Sequence, residues 1–401
     1  MKGNKLFKKI DRFIGIPIVF LLGILTNLWA FFFRPSSKPL SSGDNVLVVK
    51  LSALGDTFIL LPVFKALKEK IGPTGKILMI ATPINQAALK DFPYMDDVLL
   101  LDFGKLAKSP KALWDFLKKL RDFKAIFALD FDQWLRVSPL LCFLSGAASR
   151  YGFKTPGQHR HFLYQKIVTN EKNRHEFEQF ASIAGLAGID RSRIDHFNGF
   201  LKKENLYPTD SLQRSPSAET LIHIHPGCGE SGWQRAWPEN YYVELIKKLK
   251  SNPDIQIQMT GMGTYEENLV HQIIQESGQK IADFSGKLEI EQLSDLLKKS
   301  DLVICGNTGI MHLAVGLGCS LIAPHGPTNP AKWGPLPSSQ PNGNIVSVLS
   351  ATIACSPCLN LGFEYGCDAR PCMESIPVEK VYQECVRLLG RTGKLKHEKI
   401  Q

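Results

Sequence analysis

Short, unbroken apolar runs followed by segments of helical spacing recur through this chain in two series, and that alternation leaves few folds open. In the first series, residues 45–51 (NVLVVKL), 76–81 (KILMIA), 97–101 and 125–130 (AIFALD) read as strands buried on both faces, as parallel strands are. Helical spacing at 57–70 and 111–123, and a short helix at 86–91, lie between them. Polar sequence with Pro and Ser at 198–219 reads as a linker. The second series has strands at 220–225 (TLIHIH), 255–260, 302–305 and 320–324, with helices at 238–249, 265–277, 290–299 and 309–317. Strand and helix in alternation imply a doubly wound parallel sheet, here twice, in an α/β chain. The expected boundaries are a segment 1–43, a first Rossmann-like domain 44–205 and a second 206–401.

The start of the chain departs from this pattern. Residues 13–33 (FIGIPIVFLLGILTNLWAFFF) are uncharged and about as long as a bilayer crossing requires. No small-residue cleavage site follows, so a retained membrane-associating segment is expected rather than a signal peptide. Basic residues flank it on both sides and Pro17 interrupts it, leaving a single span, a re-entrant or interfacial helix, and a buried helix open. The sequence expectation is an enzyme held on the cytoplasmic face of the inner membrane by this segment.

Across 401 residues, 48 Lys and Arg against 38 Asp and Glu give a net charge of +10, which suits a phosphate-rich partner. Nine cysteines are too few for a disulfide scaffold, and Cys142, Cys305 and Cys319 lie in apolar runs as reduced core thiols do.

Ligands of doubly wound sheets bind outside the carboxyl ends of the strands, so the turns after strands carry the candidate chemistry. After the first strand, Ser52, Ala53, Leu54, Gly55 and Asp56 precede a helix. Asp56 is either the N-cap of that helix or a general base that takes a proton from an attacking hydroxyl. After the first strand of the second series comes HPGCGESGWQRAWP at 225–238, where glycine backbone and Arg235 form a plausible phosphate cradle, though not a P-loop. The third turn, GNTGIMH at 306–312, places the amides of Thr308, Gly309 and Ile310 at a helix N-terminus that favours an anion such as a diphosphate. His312 is a ligand contact or a satisfied core residue.

Taken together and in order, SALGD at 52–56, HPG with RAWP downstream, and NTGIMHLAVGLG followed by HGPTNPAKWGP resemble glycosyltransferase family 9, the lipopolysaccharide heptosyltransferases, over residues 45–381. The resemblance implies a GT-B fold of two facing Rossmann-like domains, the first binding acceptor and the second binding donor, with a final helix at 377–389 that crosses back. It implies an inverting, metal-independent transfer of heptose from ADP-heptose, a co-substrate rather than a cofactor, onto a lipopolysaccharide-core or similar anionic lipid-linked saccharide. By position, Asp56 is similar to the family's base, with Ser52 and Gly55 beside the acceptor. His225, Gly227, Arg235, Asn307, Thr308, Gly309, Met311 and His312 stand in donor-binding positions. Asn307 departs from the family's usual Asp, and Ala236 from a frequent Arg.

Arg136, Arg150, Lys172 and Arg174 read as a basic dock for the acceptor or as a solvated face. No metal is expected in the reaction, and no nucleic-acid partner. Cys355, Cys358, Cys367 and Cys372 could hold a structural zinc, form a disulfide or pack as thiols. Two other classes compete: a catalytically altered, membrane-tethered module that binds saccharides or nucleotide sugars, and a nucleotide-sugar-modifying Rossmann enzyme, against which the missing GxGxxG counts.

Overall fold

The computed structural model describes residues 5–33, 38–208, 220–340, 343–359, 367–391 and 393. Most of the linker read at 198–219, the residues 209–219, lies outside them. The chain divides into two compact units, Met1–Asp195 and His196–Gln401.

In the first unit, β1 (Val46–Val49), β2 (Ile77–Ala81), β3 (Asp97–Leu100), β4 (Phe127–Asp130), β5 (Ser149–Lys154) and β6 (Lys166–Thr169) form one sheet. Its order is β3-β2-β1-β4-β5-β6, with every neighbouring pair parallel. The second unit repeats the plan with β7 (Thr220–His225), β8 (Ile255–Met259), β9 (Ala282–Asp283), β10 (Leu302–Cys305), β11 (Leu321–His325) and β12 (Val346–Ser350). Its order, β12-β11-β10-β7-β8-β9, is the same walk outward from the first strand in both directions. These are two parallel-sheet α/β domains, consistent with the GT-B type.

The strands read from apolar runs sit where expected because they are central. β1, β2, β4, β7, β10 and β11 are buried at every residue. In the first unit, Leu47, Val49, Leu78 and Ile80 pack with Phe116 and Leu120 of the helix Pro110–Asp122. In the second, Ile222, Ile224, Ile257, Ile304 and Ile322 pack with Leu245 and Leu249. Each such side chain removed from water contributes about 1.5–3 kcal/mol. The helix Val378–Arg391 sets Val381, Cys385 and Leu388 into that same second core. The short helix Phe200–Lys203 also packs in the second unit: Gly199 N–H donates to the Val315 carbonyl at 3.0 Å, and a Cβ on Gly316 would lie 2.6 Å from Leu201.

The N-terminal apolar run forms the helix Gly15–Phe33, preceded by Lys5–Phe13. Among the described residues no helix is long and apolar enough to cross a membrane. This overturns the expected N-terminal anchor, and with it the placement on a membrane face that rested on that anchor. The helices instead pack on the first unit. Phe20 meets Phe162 edge to face at 5.2 Å, and Gly23 lies so close that a Cβ would stand 2.7 Å from Phe162. Asp11 accepts from the Arg136 guanidinium at 2.8 Å and from its backbone N–H at 2.8 Å. The ion pair belongs to Lys5–Phe13, and Gly23 and Phe20 set the apolar helix that follows against Phe162.

Both partners of that pair are 6% exposed, so removing one leaves an uncompensated buried charge, typically at a cost of about 3–5 kcal/mol. Asp11→Ala should therefore lower the unfolding free energy of the first unit and open residues 5–33 to limited proteolysis. Unaltered stability and cleavage would show that the ion pair does not dock these helices.

Candidate functional site

In a sheet of this order, the strand sequence reverses direction between β1 and β4, and between β7 and β10, which opens a crevice at their carboxyl ends. Every turn singled out in the sequence leaves one of these strands.

In the first unit, the helix Leu54–Ile71 begins one residue after Ala53, which holds φ at +68° and makes no side-chain cap. Asp56 is thus in the first turn and is not the N-cap. Its carboxylate accepts from the Lys50 ammonium at 2.8 Å, with Asp56 21% exposed and Lys50 2%. Burial pulls the Lys50 pKa down, but the carboxylates of Asp56, Asp132 and Glu176 outweigh it and hold the ammonium above its usual range. Asn85 donates to the Lys50 carbonyl at 2.7 Å and to Thr57 at 3.2 Å, fixing β1 to the helix behind the turn.

Asp132 secures the turn from the β4 side. Its Oδ2 accepts from Leu51 N–H at 3.2 Å and from Ser52 Oγ at 3.4 Å. Behind it, Asp130 pairs with Arg160 at 2.5 Å, and neither side chain has any exposure. Tyr164 also bonds Asp130, and Arg160 Nη1 donates to the Asp132 carbonyl at 2.7 Å. Burial raises the Asp130 pKa, with the Arg160 charge opposing, while the surrounding acids raise that of Arg160 against its own burial.

The basic residues proposed as an acceptor dock do not form one exposed patch. Arg136 and Arg150 are buried, Arg136 on Asp11 and Gln158, Arg150 on the carbonyls of Leu163 and Ala147. Arg174 is half-buried on Ser182 at 2.7 Å, and Lys172 is exposed.

In the second unit, Arg235 closes the short helix Glu230–Arg235. One terminal nitrogen donates to the Asn307 carbonyl at 3.1 Å and the other to the Cys228 carbonyl at 3.1 Å, while its buried Nε has no hydrogen-bond partner. The guanidinium is thus held from behind with a donor left over. Asn307 accepts from it at 3.4 Å and donates to the Trp333 carbonyl at 2.7 Å. Thr308 caps the helix Gly309–Gly316, accepting from Met311 N–H at 3.4 Å, so the first amides of that helix open beside Arg235. Met311 and His312 are buried in it.

His225 and Gly227 have structural partners. Thr260 Oγ1 bridges His223 Nε2 at 3.0 Å and His225 Nδ1 at 3.2 Å. Glu266 lies 3.7 Å from the other side of His225 and accepts from Gly229 and Met262 N–H at 2.7 and 2.9 Å. A Cβ on Gly227 would stand 2.3 Å from the Glu266 carboxyl carbon, so this glycine is required for close packing. Sequence reasoning missed Lys50, Asp130, Arg160 and Glu266. A lysine inside an apolar strand was the available sign for Lys50; Glu266 has the composition of an ordinary first helical turn.

Cys355 and Cys367 are exposed, Cys358 is half-buried and Cys372 is buried against Gly326. Among the described residues no group of three or more His, Cys, Asp or Glu is placed to hold a metal ion.

Burial drives the His223 and His325 pKa values down to about 3 from 6.5. The unfolded chain therefore binds more protons than the folded one between about pH 6.5 and 3, and stability falls as pH drops through that window. Thermal melts should show this loss in the wild type and a shallower one in His223→Gln. Identical acid dependence in the two would show that His223 is not buried as the neutral ring.

The sequence profile of glycosyltransferase family 9 (heptosyltransferase) matches residues 113–366. Lipooligosaccharide heptosyltransferase 2 of Campylobacter jejuni is 25% identical over 347 residues, covering 84% of this chain and 95% of that protein. A family 9 glycosyl transferase from Veillonella parvula superposes with a TM-score of 0.66 at 17% identity, over 87% of this chain and 98% of its own. Escherichia coli heptosyltransferase WaaC with ADP-2-deoxy-2-fluoro heptose gives 0.63 at 19%, over 86% and 99%.

Proposed function

We propose a direct displacement on ADP-heptose as the reaction of this chain, which belongs to glycosyltransferase family 9, the heptosyltransferases, and is a glycosyltransferase. An acceptor hydroxyl on a lipopolysaccharide-core or similar lipid-linked saccharide gives its proton to Asp56 as its oxygen bonds to the anomeric carbon. The bond from that carbon to the diphosphate oxygen breaks, its electron pair leaves with ADP, and the configuration inverts. No metal takes part in this scheme. The donor is supported by a structural relative, Escherichia coli WaaC, solved with ADP-2-deoxy-2-fluoro heptose.

The observation that carries the reading is the turn at the second unit's switch point. There the Arg235 guanidinium, anchored by two carbonyls and keeping Nε without a partner, adjoins the N-terminus of the helix Gly309–Gly316. A guanidinium N–H and helical amides together suit a diphosphate on which charge builds as the sugar departs. In the first unit, Lys50 orients the Asp56 carboxylate through a 2.8 Å ion pair, and the one-fifth exposure of Asp56 leaves it open to an acceptor.

Arg235→Ala should reduce transfer by about 10²- to 10³-fold, the usual effect of losing one preorganised donor to developing charge. Steady-state kinetics with an unchanged turnover and an unchanged ADP affinity would remove Arg235 from the phosphate site.

Asp56→Asn should cut transfer by about 10²- to 10⁴-fold with ADP affinity preserved, because an amide cannot take the acceptor's proton. That change also strips Lys50 of a counter-charge, so the double variant Lys50→Met, Asp56→Asn removes the buried cation as well. Recovered stability without recovered transfer supports the base. Transfer restored in the double variant would reduce Asp56 to a partner for Lys50.

A further inference from the structure

The carboxyl end of β11 carries a feature that the diphosphate grip does not use. His325, the last residue of β11, stands beside Ser350, the last of β12, in parallel register. A cavity of about 260 Å³ opens there, lined by His325, Thr328, Asn329, Ser350 and Ser356 with flanking glycine, alanine and prolines. The His325 ring is 1% exposed; its Nδ1 lies 3.3 Å from Thr328 Oγ1, and its Nε2 has no hydrogen-bond partner. A buried polar atom left unmet costs about 1–3 kcal/mol, a cost a ligand atom in the cavity would relieve.

The chemistry of the wall selects the ligand. Among the described residues lining it there is no Asp, Glu, Lys or Arg. Burial, with His312 and the Arg235 guanidinium nearby, brings the His325 pKa down to about 3, so at neutral pH the ring offers hydrogen bonds without charge. Hydroxyl, amide and neutral imidazole groups match a polyhydroxyl compound. A phosphate would call for a cation, and a nucleobase for apolar faces. The volume is below the roughly 300–1,000 Å³ of sites that enclose whole drug-sized ligands, and so suits one ring rather than a nucleotide. Arg235 and His312 act on the His325 charge, so the cavity neighbours the residues assigned to the diphosphate, to which the sugar is joined through its anomeric oxygen.

We propose that this cavity is the subsite for hydroxyl groups of the transferred sugar, with His325 Nε2 as a hydrogen-bond partner that sets which sugar is accepted. The proposal rests on the nucleotide-sugar reading of the site. Calorimetric titration of the full chain with ADP and, separately, with ADP-heptose tests it in wild type, His325→Leu and Ser350→Val. The second variant narrows the cavity from the neighbouring strand and decides the matter if the first does not fold. Both should weaken ADP-heptose about tenfold or more and leave ADP unchanged. Equal weakening of ADP and ADP-heptose would give the cavity to the nucleotide, and no change for either ligand would leave it without a substrate role; each overturns the proposal. Wild-type protein that binds neither ligand would overturn the nucleotide-sugar reading itself, and this subsite with it.

Discussion

The buried ion pair between Asp130 and Arg160 is the contact on which the first unit's site depends. Neither side chain reaches solvent, so each charge is tolerable only because the other is present, and Tyr164, Ser138 and the Asp132 carbonyl occupy much of their remaining hydrogen-bonding capacity. Arg160 lies well beyond β4 in the chain, so the pair fastens the segment before β6 to the end of β4. That fastening places Asp132, whose carboxylate receives Leu51 N–H and Ser52 Oγ and fixes the turn from which Asp56 projects. Structural charge and chemical charge are thus arranged in layers, the innermost with no exposure and the outermost, Asp56, one-fifth exposed.

The second unit solves the same problem with a different residue. Glu266 gathers the N–H groups of Gly229 and Met262 and stands beside His225, holding together two loops that leave adjacent strands. Arg235 is oriented by backbone carbonyls rather than by a carboxylate, so the groups that anchor it carry no opposing charge. An anion can then use that charge. In the first unit, by contrast, Lys50 and Arg160 are each held by a carboxylate.

The central strands and the switch-point turns were legible in the sequence because burial on both faces leaves an uninterrupted apolar run. β5, β6, β9 and β12 were not. SRYGFK of β5, KIVT of β6 and the two-residue β9 carry charge or too little length, and β6 and β9 have no fully buried residue. Among the site residues, spacing placed Asp56, Arg235 and Thr308 at the right turns, but it took Asp56 for a possible cap where Ala53 occupies that position. Long-range pairings were invisible. Arg136 and Arg150 looked like a surface patch because sequence does not reveal that Asp11 and the Leu163 carbonyl are waiting for them. Nor did the apolar N-terminal run show that one side of its helix meets Phe162, while Leu21, Leu25 and Leu28 stay exposed.

Asn307 illustrates how much can hang on one atom. Its amide nitrogen holds the Trp333 carbonyl and its amide oxygen faces Arg235, so the residue reads two neighbours of opposite polarity at once. A carboxylate has no donor for the first of them. An aspartate at this position would leave the Trp333 carbonyl without that donor and would set a carboxylate against the guanidinium. The side chain at this position is consequently not exchangeable in isolation. Position 307 thus couples the electrostatics of the turn to the posture of the loop that ends at Trp333.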